Sequence, residues 1–310
     1  MSKKIVFMGT PMFAVPILKS LYQNGYPISD VYTQPPQKSQ RGQRINKSPI
    51  QGISETLNLE IRTPKSLKDN IEEYEYFKKI DADLAIVVAY GQIIPKEFLS
   101  LTKKGFINIH ASILPMWRGA APIQRSIMNL DKETGVSIMK IVEELDSGPV
   151  CNVYKINLDN NQNAQDVSEK LSSLAAKKIL DNIDEILEDR AKFINQDHSK
   201  KTYASKIQKA EGKIDWNDNA QNIIGKVNGL YPVPGAFFIF KGERYKVLKV
   251  KIGDRPGRPG EVVSDYLEVV CGSKQSIKIT EIQRQGKNPQ KIGEFMLGSQ
   301  IKKGSMILND

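Results

Sequence analysis

Two polar side chains lie two positions apart in an otherwise apolar strand pattern, in the segment FINIH at 106–110. Successive residues of a strand point to opposite faces, so Asn108 and His110 share one face, with roughly 7 Å between their Cα atoms. The intervening isoleucines face the other way, towards a core. An amide and an imidazole placed in this way can flank one reacting atom, although a single histidine near a strand end is more often structural.

A carboxylate is the third group that could take part in this chemistry. Asp146 belongs to the segment LDSG at 145–148, which follows the apolar run 135–142. We therefore expect a second loop, from a different strand, to bring a carboxylate to the polar pair. The polar strand itself opens into a loop at 112–115, which suits the carboxyl edge where open α/β sheets bind ligands. Taken alone, Asp146 would more often be an ordinary turn residue.

The elements needed to position these groups are strands alternating with helices over residues 1–190. Apolar runs at 4–9 and 83–89 predict strands, and helical spacing at 12–24 predicts the first helix. Such alternation predicts an α/β fold with a doubly wound, mainly parallel, Rossmann-like sheet. A stripe of apolar residues over 164–187 predicts a long amphipathic helix that closes this domain.

A second domain is expected after a polar linker. The stretch 195–201 lacks apolar residues, and beyond it a short helix at 220–230 precedes three alternating runs. Short strands with frequent turn signals predict a small, OB-like β-barrel of a type that often binds nucleic acid. We therefore expect a catalytic domain over 1–194, a linker over 195–205 and a C-terminal barrel over 206–310.

The formal net charge of +10 is concentrated in that second domain. Residues 206–310 carry 18 Lys and Arg against 11 Asp and Glu, whereas the rest of the chain carries 27 against 24. A basic domain is typical of proteins that bind a phosphate backbone. Lysines that only raise solubility are the alternative at this point.

The composition predicts a globular protein that acts in the cytoplasm. The first apolar run ends at Gly9, too early for a signal peptide, and no later run reaches the roughly 18 apolar residues of a membrane span. Cys151 and Cys271 lie far apart, with no CxxC spacing and no neighbouring histidine, which argues against a zinc site or a disulfide framework. We expect neither a metal nor a membrane partner.

Six segments together resemble the formyltetrahydrofolate-dependent transferases in their order and spacing. They are GTPMFAVP at 9–16, AYG at 89–91 followed by Ile94-Pro95, NIHASILPMWRGAAPIQR at 108–125, LDSG at 145–148, YASK at 203–206 and IDW at 214–216. The resemblance covers almost the whole chain. It implies a formyl-transfer reaction with 10-formyltetrahydrofolate as the donor.

Two segments indicate the branch of that family that formylates methionyl-tRNA. The basic insertion at 34–49 has no periodicity that would bury it, and it resembles the loop that enters the acceptor stem, with Arg41 and Gly42 at the matching position. A disordered surface loop is the alternative, and both can hold because such loops often order on binding. The basic barrel is the second segment. The resemblance thus implies initiator methionyl-tRNA as the partner, and we expect a monomer.

The resemblance also implies roles for Asn108, His110 and Asp146. A free α-amino group has a pKa near roughly 8, so part of it is already neutral and the reaction needs no covalent nucleophile. Asn108 and His110 would donate hydrogen bonds to the formyl oxygen as negative charge develops there. Asp146 would assist proton removal through a water molecule.

Contacts with the two substrates are implied in the same way. The folate is expected to lie against an apolar slot and its main-chain groups, formed by Val87, Val88, Ala89, Tyr90, Gly91, Ile94, Ser112, Ile113, Leu114, Pro115, Glu144 and Leu145. The tRNA and its methionine are expected to contact Phe13, Arg41, Lys47 and Lys206.

Other functions remain open on the residues alone. A formyltetrahydrofolate hydrolase, or a formyltransferase acting on another amine such as an amino sugar nucleotide, would use the same triad but does not need the basic loop. A nicotinamide-binding Rossmann protein is disfavoured because GTPMFA at 9–14 lacks the GxGxxG spacing. A non-catalytic tRNA-binding protein would need no folate site, which a titration with a reduced folate would test.

Overall fold

The computed structural model describes residues 3–38, 45–272 and 274–309. Contacts between Cα atoms divide the chain into two compact units that alternate along the sequence. The first unit comprises 1–119, 135–156 and 168–203, and the second comprises 120–134, 157–167 and 204–310. Two internal segments thus cluster with the C-terminal residues, whereas the boundaries predicted from the sequence place them in the catalytic domain.

Ten strands precede residue 200 in the described part of the chain. In chain order they are β1 (Ile5–Gly9), β2 (Ile28–Tyr32), β3 (Gln37–Lys38), β4 (Ile45–Asn46), β5 (Glu60–Arg62), β6 (Leu84–Val88), β7 (Phe106–His110), β8 (Arg118–Gly119), β9 (Glu133–Lys140) and β10 (Val150–Asn157). Seven of them form one sheet in the order β10-β9-β7-β6-β1-β2-β5. The ladder from β7 to β5 is parallel throughout, which confirms the predicted Rossmann-like sheet.

The strand order of this sheet reverses between β1 and β6. Open α/β sheets bind their ligands outside the carboxyl ends of the strands at such a reversal. β6 is buried at all five positions, as expected for a strand covered by helices on both faces. The segments that follow β1, β6 and β7 therefore leave the sheet at one edge, beside the point of reversal.

Nine helices lie in the described ranges. They are α1 (Val15–Gln23), α2 (Pro49–Thr56), α3 (Ile71–Ile80), α4 (Lys96–Leu99), α5 (Pro122–Met128), α6 (Ala164–Lys178), α7 (Leu180–Leu187), α8 (Ala220–Gly229) and α9 (Ile292–Leu297). The single long helix predicted over 164–187 is interrupted at Ile179, which separates α6 from α7. None of the helices described combines the length and the apolar character that a membrane span needs.

Side-chain caps explain where two helices of the first unit begin. The Ser48 hydroxyl accepts a hydrogen bond from the Gln51 N–H, directly before α2, whose first residue is proline. The Asn70 side chain accepts in the same way from the Glu73 N–H at the start of α3. Each cap satisfies one of the amide groups that a helix start leaves without an intrahelical partner.

β9 departs from the parallel pattern. It runs antiparallel to β7, with Asn108 opposite Met139 and His110 opposite Ser137. The carboxyl end of β9 therefore lies beside the amino end of β7, where the Ile141 N–H donates to the Phe106 carbonyl. Any residue that follows β9 must fold back over the sheet to reach the polar pair. The strand also ends at Lys140, two residues earlier than the apolar run predicts.

The second unit contains a small antiparallel sheet, as predicted for the C-terminal domain. A short strand, β11 (Tyr203–Ala204), precedes its members β12 (Ala236–Phe240), β13 (Glu243–Gly253), β14 (Glu268–Val270), β15 (Ser276–Arg284) and β16 (Gln290–Lys291). The order is β12-β13-β15-β14, with β16 also paired to β15. A core around the fully buried Trp216 packs between these strands and α8. α8 also packs against α5.

The register of β13 shifts between Val247 and Lys249. Tyr245 and Val247 are buried before the shift, Leu248 is buried at it, and Lys249 is exposed after it. A bulge of this kind adds one residue and restores the alternation between faces. The basic residues on both sides of the bulge therefore share the outer face, although their spacing in the sequence is not strictly alternating.

A buried carboxylate joins three elements of the first unit. Glu73 of α3 accepts hydrogen bonds from Arg62, at the end of β5, through Nε at 3.0 Å and Nη2 at 2.8 Å. It also accepts from the hydroxyl of Tyr32, at the end of β2, at 2.8 Å. Burial and the hydrogen bond to Glu73 raise the pKa of Tyr32 above its ordinary value, so the hydroxyl remains a donor.

We expect Glu73→Ala to lower the free energy of unfolding by about 3 to 5 kcal/mol, because it leaves the Arg62 guanidinium partly buried without its carboxylate. Chemical denaturation monitored by circular dichroism measures the change. Glu72→Ala removes an exposed carboxylate from the same helical turn and should change stability by less than about 1 kcal/mol. Equal losses for the two variants would contradict the prediction.

Candidate functional site

The polar pair occupies the carboxyl half of β7, on the strand predicted for it. Asn108 lies opposite Val87 of β6 and is half-buried, whereas the His110 side chain is only 6% exposed. The neighbouring Ile107 and Ile109 are fully or almost fully buried in the core. The period of two therefore places the amide and the imidazole on one face, where they can act on the same ligand.

The contacts of the His110 imidazole show which ring nitrogen carries a hydrogen. Its Nε2 lies 2.9 Å from the Trp117 carbonyl oxygen, and its Nδ1 lies 3.6 Å from Asp146 Oδ2. A carbonyl oxygen can only accept a hydrogen bond, so Nε2 carries a hydrogen and donates it to Trp117. Nδ1 is then the nitrogen that faces the carboxylate.

The carboxylate of Asp146 is held by groups from two further segments. Its Oδ2 accepts from the Gly119 N–H at 2.8 Å, and its Oδ1 accepts from Asn108 Nδ2 at 3.3 Å. The amide nitrogen carries two hydrogens and this contact uses one, so Asn108 retains a donor for a further acceptor. The Asp146 side chain is 14% exposed. The three polar groups predicted from the sequence thus meet at one place.

Asp146 reaches this place by a loop that folds back from the end of β9. A glycine is required where the loop returns, because a Cβ on Gly148 would overlap the Lys140 carbonyl oxygen. Asp146 itself has a φ of 47°, in the left-handed region. The expectation that a second loop delivers the carboxylate is met, but the loop starts at the opposite edge of the sheet because β9 is antiparallel.

The loop after β6 contains four of the twelve predicted folate contacts, Ala89, Tyr90, Gly91 and Ile94. The Tyr90 carbonyl accepts a hydrogen bond from Thr10 Oγ1 at 2.7 Å, and the Gly91 carbonyl accepts from Gln34 Nε2 at 2.9 Å. These contacts tie the loop to the ends of β1 and β2, at the reversal of strand order. Burial, with a smaller contribution from Glu73, raises the pKa of Tyr90, so its ring remains neutral.

The other predicted folate residues lie in varied environments of the first unit. The side chains of Val87 and Val88 belong to the core, so a ligand could meet only their main chain. Those that are buried or half-buried in the loops are Ile94, Ser112, Ile113, Leu114 and Pro115, and those that are exposed are Ala89, Gly91, Glu144 and Leu145. Ser112 donates to the Met116 carbonyl, which shapes the loop after β7.

The predicted tRNA and methionine contacts are more scattered. Phe13 is half-buried in a short 3₁₀ turn, and its carbonyl accepts a hydrogen bond from Ser172. Lys47 is exposed and forms an ion pair with Glu55 at 2.9 Å. Lys206 is exposed in the second unit. Arg41 lies outside the described residues.

Two residues near the carboxylate were given no role by the sequence analysis. Arg118 is fully buried, and its Nε and Nη2 donate to Gln196 Oε1. Gln196 lies in the segment predicted as a linker, yet it is only 8% exposed. Arg118 belongs to the segment 108–125 that carries the family resemblance, which was a reason to consider it. Gln196 lies outside all the segments that carry the resemblance. Within the ranges described, no group of three His, Cys, Asp or Glu side chains is arranged for a metal ion.

Comparison with known sequences gives two domain matches and many full-length relatives. The formyl transferase family matches residues 3–183, and the formyl transferase C-terminal domain matches residues 206–300. A methionyl-tRNA formyltransferase of Pelagibacter ubique is 67% identical over 309 residues, which is 100% of both chains. One from Roseobacter denitrificans is 40% identical over 98% of each chain.

Solved structures with the same fold include formyltransferases that act on sugars. A sugar 3N-formyl transferase crystallised with dTDP and 5-N-formyl-THF has a TM-score of 0.69 at 19% identity, covering 93% of this chain and 100% of its own. The N-formyltransferase of Helicobacter canadensis, in complex with folinic acid and dTDP-3-aminofucose, has a TM-score of 0.68 at 18% identity, covering 92% and 100%. At these identities the likeness concerns the fold alone. The two domain matches and the full-length relatives place the chain in the formyl transferase family.

Proposed function

We propose that this protein transfers the formyl group of 10-formyltetrahydrofolate to the α-amino group of methionine on initiator tRNA, as a monomer in the cytoplasm. The observation that carries the proposal is the convergence of Asn108, His110 and Asp146 near the strand-order reversal, with Asn108 Nδ2 at 3.3 Å and His110 Nδ1 at 3.6 Å from the Asp146 carboxylate. Methionyl-tRNA as the substrate is supported by the full-length similarity to methionyl-tRNA formyltransferases. A sugar nucleotide as acceptor is not favoured, because the sugar enzymes share only the fold.

The chemistry is an acyl transfer between two nitrogens. The neutral amine attacks the formyl carbon, a new C–N bond forms, and the formyl oxygen becomes an oxyanion. Asn108 donates its remaining amide hydrogen to this oxygen, and His110 donates from Nδ1 when the ring carries a second proton. The bond to the folate nitrogen then breaks, and that nitrogen takes a proton. Asp146 receives the proton that the amine releases, through a water molecule, and the same route returns it to the folate nitrogen as that nitrogen leaves.

The folate would bind at the loop after β6. Thr10 and Gln34 fix this loop by donating hydrogen bonds to the Tyr90 and Gly91 carbonyls, and an apolar slot bordered by main-chain groups suits a flat heteroaromatic ring. The adjoining loop after β7 and the exposed Leu145 would complete the slot. No metal is required, because the donors named above supply the charge stabilisation.

The tRNA would be bound by the basic insertion at 34–49 and by the outer face of β13. Lys249 and Lys251 are both exposed there, and the bulge keeps them on the same face as the earlier basic residues. Lysines on one face of a strand can follow a phosphate backbone. Arg41 and Lys206 are proposed as further contacts from the family resemblance.

The proposed function is tested by incubating charged initiator tRNA with the protein and 10-formyltetrahydrofolate. Acid gel electrophoresis resolves formylmethionyl-tRNA from methionyl-tRNA, and we expect conversion that depends on both the protein and the donor. A parallel assay offers a dTDP-linked amino sugar as the acceptor. Formylation of the sugar without formylation of the tRNA would overturn the proposal.

We expect Asn108→Ala, His110→Ala and Asp146→Ala each to lower kcat by about 10²- to 10³-fold, since each removes a group that acts on charge developing in the transition state. Steady-state formylation assays at saturating substrates measure the loss. His198→Ala changes the only other histidine, which is exposed, and should retain full activity. Near-normal turnover of any triad variant would refute its assigned role.

Gly148→Ala should lower kcat by roughly 10²-fold, because the added Cβ pushes the loop away from Lys140 and shifts the carboxylate by an ångström or so. The matched control is Gly52→Ala in α2, where an added Cβ meets nothing within 4 Å. Turnover of both variants is compared with that of the unmodified chain. If the two glycines tolerated alanine equally, the close approach of the loop to Lys140 would be unimportant for catalysis.

The double variant Lys249→Ala, Lys251→Ala is expected to weaken tRNA binding and to flatten the slope of log affinity against log salt by about 0.7 to 0.9 for each phosphate that the variant no longer binds. Affinity is measured by filter binding across a salt series. Lys78→Ala, Lys79→Ala removes the same charge from exposed positions of α3 in the first unit. Parallel slopes for all three proteins would mean that the basic face serves only solubility.

A further inference from the structure

The segment predicted as a linker forms part of the first unit and lies against the candidate site. Ile194 pairs with Val150 in an antiparallel bridge, through N–H to carbonyl hydrogen bonds of 2.9 and 2.8 Å. This bridge aligns the segment with the beginning of β10. Gln196, two residues further on, therefore comes beside Gly148, at the point where the Asp146 loop ends.

The nitrogen and the oxygen of the Gln196 amide each make two hydrogen bonds. Its nitrogen donates to the Asp146 carbonyl and to the Gly148 carbonyl, each at 2.8 Å. Its oxygen accepts from Arg118 Nε at 3.1 Å and from Nη2 at 2.7 Å. The opposite amide orientation would turn donors towards a guanidinium and an acceptor towards two carbonyls, so this orientation is the stable one.

Arg118 makes the arrangement difficult to change. Its side chain is fully buried, and a buried guanidinium needs acceptors for its donors. Gln196 supplies one for Nε and Nη2, while Glu144 lies 3.5 Å from Nη1. If Gln196 moved, the buried Nε and Nη2 groups of Arg118 would lose their acceptor. The free-energy cost of burying them without a hydrogen bond holds the Gln196 amide against the Asp146 loop.

We propose that Gln196 is a positioning residue for the transfer reaction: it fixes the main chain on both sides of the Asp146 carboxylate, and the buried Arg118 fixes Gln196. The inference rests on the proposed function. The carboxylate is held at its tip by Gly119 and Asn108, and Gln196 holds the loop that carries it. A loop with a residue at positive φ has other accessible conformations, and two hydrogen bonds to its carbonyls select one of them.

The substitution Gln196→Glu keeps the hydrogen bonds accepted from Arg118 and removes those donated to the loop carbonyls. A glutamate has nearly the same shape and still accepts from Arg118, but its carboxylate cannot donate to the two loop carbonyls and repels them. We expect kcat to fall roughly 10- to 100-fold, with the KM values for both substrates changed less than about twofold. Asn195→Asp adds the same charge at the adjacent exposed position and should leave kcat unchanged.

A double-mutant cycle with Asp146→Ala distinguishes positioning from a general structural role. If Gln196 acts through the carboxylate, Gln196→Glu lowers kcat less than about twofold once Asp146 is alanine. An equal loss in both backgrounds would overturn the proposal. The shorter amide of Gln196→Asn, which cannot bridge Arg118 and the loop together, is carried through the same cycle in case the glutamate variant does not fold.

Hydrogen exchange supplies a readout that needs no substrate. The amides of 144–148 should exchange faster in Gln196→Glu than in the unmodified chain, with Asn195→Asp as the unchanged control. Unaltered exchange in this segment would also overturn the positioning role. Failure of the unmodified protein to formylate methionyl-tRNA would instead refute the proposed function, and the exchange result would still report on Gln196.

Discussion

The site depends on a sheltered carboxylate that must be surrounded by donors. Charge removed from water requires hydrogen bonds, and Asp146 receives them from the Gly119 main chain and the Asn108 amide. The same carboxylate faces Nδ1 of His110, whose Nε2 donates to the Trp117 carbonyl. One carboxylate thus contacts an amide, an imidazole and the main chain of a further loop. The sheet fixes the positions of the amide and the imidazole, and the hydrogen bonds to the carboxylate hold the Asp146 loop beside them.

The spacing of polar and apolar residues within single strands predicted the features of the site that depend on one strand alone. The two-residue period placed Asn108 and His110 on one face of β7, and the apolar run of β6 identified a strand covered on both sides. The antiparallel direction of β9 has no such signature, because strand direction is decided by long-range pairing. The role of Gln196 was equally hidden: it bonds to carbonyls 48 and 50 residues away, inside a polar stretch typical of a linker.

The second unit illustrates how one backbone irregularity can decide the character of a surface. The basic residues of β13 are not spaced for a single face, and an ideal strand would send half of them into the core around Trp216. The bulge near Leu248 absorbs the extra residue, so apolar side chains remain inside and ammonium groups remain in water. Composition predicted that this part of the chain is basic.

The alternation of the two units along the chain has a consequence for biosynthesis. α5 belongs to the second unit, yet about 90 residues separate its end at Met128 from the start of α8 at Ala220, the helix it packs against. At a translation rate of roughly 5 to 20 residues per second, α5 leaves the ribosome about 5 to 20 s before its partner is made. Its apolar face, with Ile123 and Ile127, stays uncovered during that time. The nascent chain therefore passes through a stage in which the sheet of the first unit is nearly complete while a helix of the second still needs protection from aggregation.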